Sequence, residues 1–371
     1  MLKMERASLK ERDRRWLNIR REMRRNGLDG LIVLSDGHVE RAGSVRYVSD
    51  VSTRAMYVYV VFPLEGEPIG INMRGALNAP GEWIKNRRLL PLRGGWVVDS
   101  EPYAPVVAEA IKELKIEKGC IGIEGDYISA PMYQRLIKEL PEATFKPSKI
   151  IHELKMVKSP EEITFVERGA EMMDKAYETC LEIARPGKTW NEVSSEICKT
   201  LYDWAVEEIG GFPLPRSTNI MKPVDSYLFY PEAQAFGGYW IQLGRLVSFG
   251  EPSRELREAW DLSIEAERRG AEKMRPGNTG ADVMKAANDA LKGSKYTAAL
   301  RGCGHGVALD VVERPYITYD DETVFQPGMV VTIHPMFSPP APYPVLVADT
   351  FVVTEDEPRK LSRMTPEVKV I

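Results

Sequence analysis

The sequence predicts two domains: an α/β domain over residues 1–154, then an α+β domain over 155–371 built as an internal pseudo-twofold repeat. Three observations carry this. At 371 residues the chain exceeds the size at which one hydrophobic core usually stops growing. From 28 to 150, short apolar runs alternate with amphipathic stretches, the pattern of a compact α/β unit. Further on, "RPGKTWNEVSSEICKTL" (185–201) returns as "RPGNTGADVMKAANDAL" (275–291).

In chain order, "KERDRRWLNIRREMRRNG" (10–27) reads as a helix with Trp16, Ile19 and Met23 on one face, Asn26-Gly27 as its stop, and its charges in water. The runs "LDGLIVLSDG", "AMYVYVVFP", "PIGINM" and "CIGIEG" read as strands, and "PYAPVVAEAIKELKIEKG" as a helix between them. His38 falls in the turn-rich "SDGHVERAG", where a surface histidine is expected.

The second domain opens on "KMVKSPEEITFVERGAEMMDKAYETCLEIARPG". Ser159 is placed to cap a helix, Pro160 suits its first position, and Glu161 and Glu162 sit where the helix dipole favours negative charge. Ile163, Val166, Ala170, Met173, Tyr177 and Cys180 recur at spacings of three and four and predict one buried stripe. Met172 and Met173 are assigned to the core. Each copy of the repeat ends a long helix at Pro-Gly and starts another with Thr, an acidic residue and Val. Strands are expected in 237–250, "YITY", 328–337 and 344–355, flooring a site between the two halves.

Composition narrows the partners. Lys+Arg 50 against Asp+Glu 54 leaves a charge of −4, so no nucleic-acid surface is expected. The N-terminus lacks an apolar leader and no run reaches the roughly 18 apolar residues of a membrane span, so a soluble cytoplasmic protein is expected. Four cysteines, at 120, 180, 198 and 303, show no CxxC spacing, which suits a reducing compartment.

The chemistry gathers late in the chain. "GCGHGVALDVVERP" (302–315) sets His305 between glycines with Glu313 eight residues on. His334 follows in "GMVVTIHPMF". Two imidazoles and a carboxylate in one pocket supply a general base and a general acid, each titrating near neutral pH. His305, His334 and Glu313 are therefore the candidate catalytic residues, with Glu313 orienting an imidazole or binding a cationic substrate group. Trp240, Gln242 and Thr332 are the candidate substrate contacts, and the proline-rich "FSPPAPYP" (337–344) is a candidate substrate wall. Each catalytic candidate has a structural alternative. His305 can be the hydrogen-bonded tip of its turn, His334 a satisfied core histidine, and Glu313 an ion-pair partner of Arg314 or Arg301.

Together "MVKSPEEI", the paired "RPGxT" turns, "GHGVALDVVERP", "PGMVVTIHP" and "VADTFVVTE" resemble, in order, the motifs of the pita-bread-fold family of methionine aminopeptidases, aminopeptidase P, prolidase and creatinase. The segment "GLDGLIVLSDG…VRYVSD" is similar to the extra N-terminal domain of the creatinase and prolidase branch. The resemblance implies a pita-bread C-terminal domain and a homodimer. It also implies, in the peptidases, two divalent ions held by two aspartates, a histidine and two glutamates. Carried over residue by residue, the histidine is His305. The aspartates fall on Gln242 and near Pro231, and the glutamates on His334 and Ala348. Strand alternation puts Gln242 and Gly244 on one face, Val330, Thr332 and His334 on another, and Ala348 and Thr350 on a third, so Arg245 and Asp349 point away and serve structure.

With four of the five ligands changed, no dinuclear metal centre and no cofactor is expected. A single metal on His305, His334 and Glu313 is an alternative whose spacing matches no standard rule. Creatinase, which works without metal, is the nearer analogy, yet no histidine lies between His152 and His305 to match its proton shuttle, and its grip glutamates fall on Gly244 and His334. The sequence therefore points to a metal-independent creatinase-like hydrolase of a C–N bond in a small polar substrate. A lyase or isomerase on the same scaffold, a non-catalytic peptide- or ligand-binding protein, and an Xaa-Pro-type metallopeptidase with a rebuilt metal site stand as alternatives.

Overall fold

The computed structural model describes residues 6–36, 38, 41–52, 57–72, 83–88, 99–125, 128–210, 218–223, 225–298, 302–338 and 345–371. Most of the loop "FSPPAPYP", from 339 to 344, and Arg301 lie outside these residues. The chain forms two compact units, Arg6–Lys155 and Met156–Ile371.

The first unit runs α1 (Leu9–Asn26), β1 (Gly30–Ser35), α2 (Gly43–Ser49), β2 (Val58–Pro63), β3 (Ile69–Ile71), β4 (Asn86–Arg88), α3 (Ala104–Glu113), β5 (Cys120–Glu124), α4 (Ala130–Glu139), β6 (Thr144–Ser148) and α5 (Ile150–Met156). Its strands form a mixed sheet in the order β4-β3-β2-β1-β5-β6, parallel where β3 meets β4, β1 meets β5 and β5 meets β6. Every residue of β1 and β2 is buried, as their unbroken apolar runs require. Trp16, Ile19 and Met23 are buried along α1, the face expected of it. One part of that helix departs from the expectation of a solvated charged face: Arg15 is buried. Glu11, one turn earlier, neutralises it at 2.8 Å, and the Tyr47 ring lies 4.6 Å from its guanidinium carbon. His38 is exposed.

The second unit begins with the repeat. Its helices are α6 (Pro160–Ile183) and α7 (Trp190–Asp203), then α8 (Arg254–Ala271) and α9 (Gly280–Asp289). Ser159 caps α6 as expected, and its own N–H donates to Glu162 at 2.7 Å. The two Pro-Gly turns superimpose in chemistry: Gly187 has φ 92° and Gly277 φ 91°. Thr189 N–H donates to Glu192 at 2.7 Å, and Thr279 N–H donates to Asp282 at 2.9 Å. Met172 and Met173 are fully buried, while Ile163 is only half-buried because the buried stripe of α6 is centred on Phe165, Gly169 and Met172.

The strands of this unit are β7 (Glu208–Gly210), β8 (Ser226–Phe229), β9 (Glu232–Gln234), β10 (Trp240–Gln242), β11 (Arg245–Ser248), β12 (Thr297–Ala298), β13 (Gly302–Gly306), β14 (Glu313–Thr318), β15 (Val330–Ile333), β16 (Phe337–Ser338), β17 (Asp349–Val352), β18 (Arg359–Lys360) and β19 (Lys369–Val370). Among the described residues they build a five-stranded sheet β14-β13-β15-β17-β18, two three-stranded sheets, β10-β9-β7 and β19-β11-β8, and a two-stranded pair β12-β16. The stretch 237–250 is thus two strands. The break falls at Gly244, which pairs its backbone with Ala348. A Cβ on Gly244 would lie 2.6 Å from the Leu346 carbonyl, so this position admits no side chain. Arg245 and Asp349, both fully buried, form a two-pronged ion pair at 2.7 and 3.0 Å.

Candidate functional site

His305 lies on β13, paired with Tyr316 of β14 on one side and with Thr332 of β15 on the other. The glycines around it are needed for close approach rather than for a turn. A Cβ on Gly304 would sit 2.2 Å from the Thr332 carbonyl, and one on Gly306 would sit 2.3 Å from the Arg314 carbonyl. His305 Nδ1 lies 3.0 Å from the Gly306 carbonyl. A carbonyl only accepts, so Nδ1 carries the proton in the neutral ring and Nε2 is left with a lone pair.

His334 follows the end of β15. Its N–H donates to the Cys303 carbonyl at 2.8 Å, and this anchors the residue beside β13. The two imidazole centroids stand 5.1 Å apart at 63°. Both ring nitrogens of His334 are buried with no hydrogen-bond partner among the described residues, so it is not the satisfied core histidine of the structural alternative. Burial, and then the neighbouring His305, push its pKa down to about 3; burial also lowers that of His305, opposed by the Gly306 carbonyl and the charge of Glu313. The expectation of an imidazole titrating near neutrality is corrected for His334, because the pocket strips its water; His305 is shifted in the same direction.

A testable consequence follows for stability. The unfolded histidine takes up a proton near pH 6.5, and the folded His334 does not until about 3, so below pH 6.5 the unfolded state binds more protons. Stability falls as pH falls through that window, this group adding a slope of about 1.4 kcal/mol per pH unit. Denaturant titrations from pH 7 to 4 will show a shallower fall in His334→Leu than in the wild type. Equal slopes would mean that His334 is solvated.

Glu313, at the head of β14, accepts from the Asp310 N–H at 3.0 Å and pairs with Lys158 at 3.3 Å, both side chains being almost fully buried. Arg314 instead lies 3.6 Å from Asp321. Arg314 is therefore engaged away from Glu313, Arg301 lies outside the described residues, and the Glu313 carboxylate is paired with the Lys158 ammonium.

The remaining candidates sit on the floor. Register pairs Gln242 with Glu232 and Trp240 with Gln234 across the β9–β10 hairpin. The carboxylate opposite Gln242 thus comes from Glu232, next to Pro231, and the expectation of a floor without carboxylates is corrected by one residue. Tyr230 O–H lies 3.3 Å from Gln242 Oε1 and 3.4 Å from Glu232 Oε1, with its ring centroid 6.4 Å from that of His334. Gln242 Nε2 and Trp240 Nε1 are buried and unpartnered among the described residues. Thr332 is fully buried, and its hydroxyl donates to the Asp349 carbonyl at 3.3 Å, so it braces the floor. Thr350 does the same, donating to the Gln242 carbonyl at 3.1 Å.

Three residues escaped the sequence reading: Lys158, Tyr230 and Glu232. Period-two alternation from Gln242 across the hairpin would have found Glu232. Nothing local marks Lys158, which precedes a helix cap 155 residues from its partner.

The donor set tests whether two divalent cations fit. The five positions carried over are a proline, an amide, two imidazoles and an alanine; Glu232 beside that proline is the one carboxylate the floor adds, and the nearby Glu313 is paired with Lys158. Among the described residues no three of His, Cys, Asp and Glu come together as a metal cluster. Hard divalent ions need several anionic oxygens, and this site does not fit a dinuclear centre.

Comparison with known proteins agrees with the architecture. The model of the creatinase/prolidase N-terminal domain matches residues 15–157, and that of metallopeptidase family M24 matches residues 210–355. The Xaa-Pro dipeptidase of Pyrococcus furiosus is 27% identical over 70% of this chain and 78% of its own. The ectoine hydrolase of Halomonas elongata is 26% identical over 85% and 86%. Among solved structures, the X-Pro aminopeptidase of Thermotoga maritima superimposes with a TM-score of 0.82 at 18% identity, over 96% of this chain and 99% of that one. The prolidase of Pyrococcus horikoshii gives 0.76 at 21% identity, over 96% and 99%.

Proposed function

We propose, for a chain built of a creatinase/prolidase N-terminal domain followed by an M24 pita-bread domain, that it is a hydrolase which opens a C–N bond of a small polar substrate without a dinuclear metal centre. One observation carries the reading: of the positions where a pita-bread peptidase would need anionic ligands, one presents the imidazole of His334, 5.1 Å from that of His305, and another the unpartnered carboxamide nitrogen of Gln242.

The chemistry uses what these groups hold. His305 Nε2, its lone pair fixed by the Nδ1 contact to Gly306, takes a proton from water as the oxygen adds to the electrophilic carbon. The charge that develops on the substrate oxygen or nitrogen meets N–H groups of His334 and Gln242, donors that cost no reorganisation because nothing else engages them. The His305 imidazolium, favoured by the charge of Glu313, then returns the proton to the departing nitrogen as the C–N bond breaks. Tyr230 holds Gln242 in place from its other end. Similarity to an Xaa-Pro dipeptidase and to an ectoine hydrolase supports both the bond type and the substrate size.

The experiment combines elemental analysis with turnover. Purified protein is expected to carry less than about one tenth of an equivalent of manganese, zinc, iron or cobalt, and to hydrolyse a member of a panel of Xaa-Pro dipeptides, ectoine, guanidino compounds and amides at a rate that EDTA leaves unchanged. Two tightly held metal equivalents with activity lost on chelation would replace this reading with a metallopeptidase whose site is rebuilt around Glu232. Elimination or isomer products would identify a lyase or isomerase. Ligand binding without turnover, unaffected by His305→Ala, would identify a binding protein.

A further inference from the structure

One rung of paired residues crosses the sheet that carries His305. Tyr316 of β14 pairs with His305 of β13, His305 with Thr332 of β15, and Thr332 with Thr350 of β17. Residues opposite one another in an antiparallel ladder project to the same face, with Cβ atoms about 4.5–5.5 Å apart. The other face of this sheet is apolar core. Ile317, Val331 and Ile333 belong to it, and a Cβ on Gly304 would point there, 3.1 Å from the Ile317 side chain. Tyr316 therefore stands beside His305 on the side of the sheet where the site lies.

The rung is closed at one end and open at the other. Thr350 and Thr332 are fully buried, His305 is half-buried, and Tyr316, on the edge strand, is 38% exposed. The exposed ring is held in place. The Tyr316 N–H donates to Asp321 at 2.9 Å, and the Arg314 guanidinium carbon lies 5.5 Å from the ring centroid. Arg314 itself donates to the Thr323 hydroxyl at 3.2 Å and stands 3.6 Å from the buried Asp321 carboxylate, so its charge is already answered.

The donors fix which part of a substrate reaches this ring. β14 and β15 flank β13 on opposite sides, and His334 follows β15. Gln242 lies on that same side, its carbonyl accepting from Thr350. With the developing charge met there, the departing nitrogen that His305 protonates carries its substituent toward Tyr316.

Resting on the hydrolytic reading proposed above, we infer that Tyr316 is the specificity-determining residue for the substituent on the departing nitrogen, and that it selects a flat apolar group over a charged one. Such a group gains a stacked partner and leaves water. A carboxylate finds Arg314 engaged, and an ammonium is repelled by it.

Matched N-substituted acetamides test this on the full-length protein: N-benzylacetamide, N-methylacetamide and N-acetylglycine, each followed by calorimetric binding and by release of amine. The expected result is saturable binding of N-benzylacetamide with Kd at or below about 1 mM, roughly tenfold or more tighter than either other probe. Tyr316→Phe is expected to keep that preference and Tyr316→Ala to cut it to about threefold or less. A merely structural loss lowers binding of all three probes and leaves their ratio alone. No saturable binding of N-benzylacetamide to about 10 mM, a wild-type preference short of about tenfold, or a preference that survives in Tyr316→Ala overturns the assignment. A preference for N-acetylglycine overturns it too, by handing selection to Arg314. The two readings fail separately. Amine release without benzyl preference removes the role of Tyr316 and keeps the hydrolase, whereas a Tyr316-dependent preference in binding, with no turnover of these probes or of the panel above, keeps the aromatic subsite and removes the hydrolase.

Discussion

Replacing His305 by alanine lowers kcat/KM for the turned-over substrate by about 10²–10⁴-fold, the usual worth of a positioned general base. On the proposed mechanism the loss is expected to fall on kcat, because the floor of Trp240, Gln242 and Tyr230 proposed to hold the substrate is untouched. Among the described residues the His305 side chain makes one hydrogen bond, to its own strand, and one edge-on ring contact, to His334, so the variant is expected to keep its fold with Tm moving by no more than a few degrees. The comparison with His334→Ala is informative. His334 is a donor that does not titrate in the working range, so its loss weakens stabilisation of the developing charge without removing the base. Steady-state kinetics of both variants on the same substrate decides it. A His305→Ala enzyme that retains more than about a tenth of wild-type kcat/KM would remove the residue from the chemistry.

Lys158→Met destabilises the second unit by about 3–5 kcal/mol, because it takes the buried counter-charge away from Glu313 while leaving the carboxylate in place. The double variant Lys158→Met/Glu313→Gln regains most of that loss, since a neutral amide is cheaper to keep dry than a carboxylate. Urea unfolding of the wild type, the single and the double variants measures both figures. A loss below about 1 kcal/mol in the single variant would mean that water reaches the pair. The double variant also reports on chemistry. If Glu313 favours the His305 imidazolium, activity stays low although stability returns.

Much of the fold was legible because the signals are short-range. Ser159 with Glu162, and the two Thr-acid pairs after Pro-Gly, are caps decided within four residues, and the structure forms all three. The apolar runs of β1 and β2 state their own burial. Where the sequence misled, the deciding partner was distant. Arg15 reads as a solvated charge until Tyr47 folds over it, and 237–250 reads as one strand until the Ala348 backbone arrives at Gly244.

The candidate site divides in the same way. His305, His334 and Gln242 were found because each lies in a motif with a fixed place in the chain order. The protonation of His334 was misjudged, because a pKa depends on how much water the rest of the pocket removes, and no local pattern encodes that. Glu232 was hidden by a hairpin register, and Lys158 by the distance along the chain to Glu313.

By itself the sequence determined the two-domain plan, the duplicated helical unit, and the places of His305, His334 and Gln242 in the motif order. All of these are written in residue identity and local spacing. The tertiary structure alone decided which charges are neutralised and that the His334 imidazole stays unprotonated, because charge and solvation are set by whatever the fold brings within a few ångströms from far along the chain.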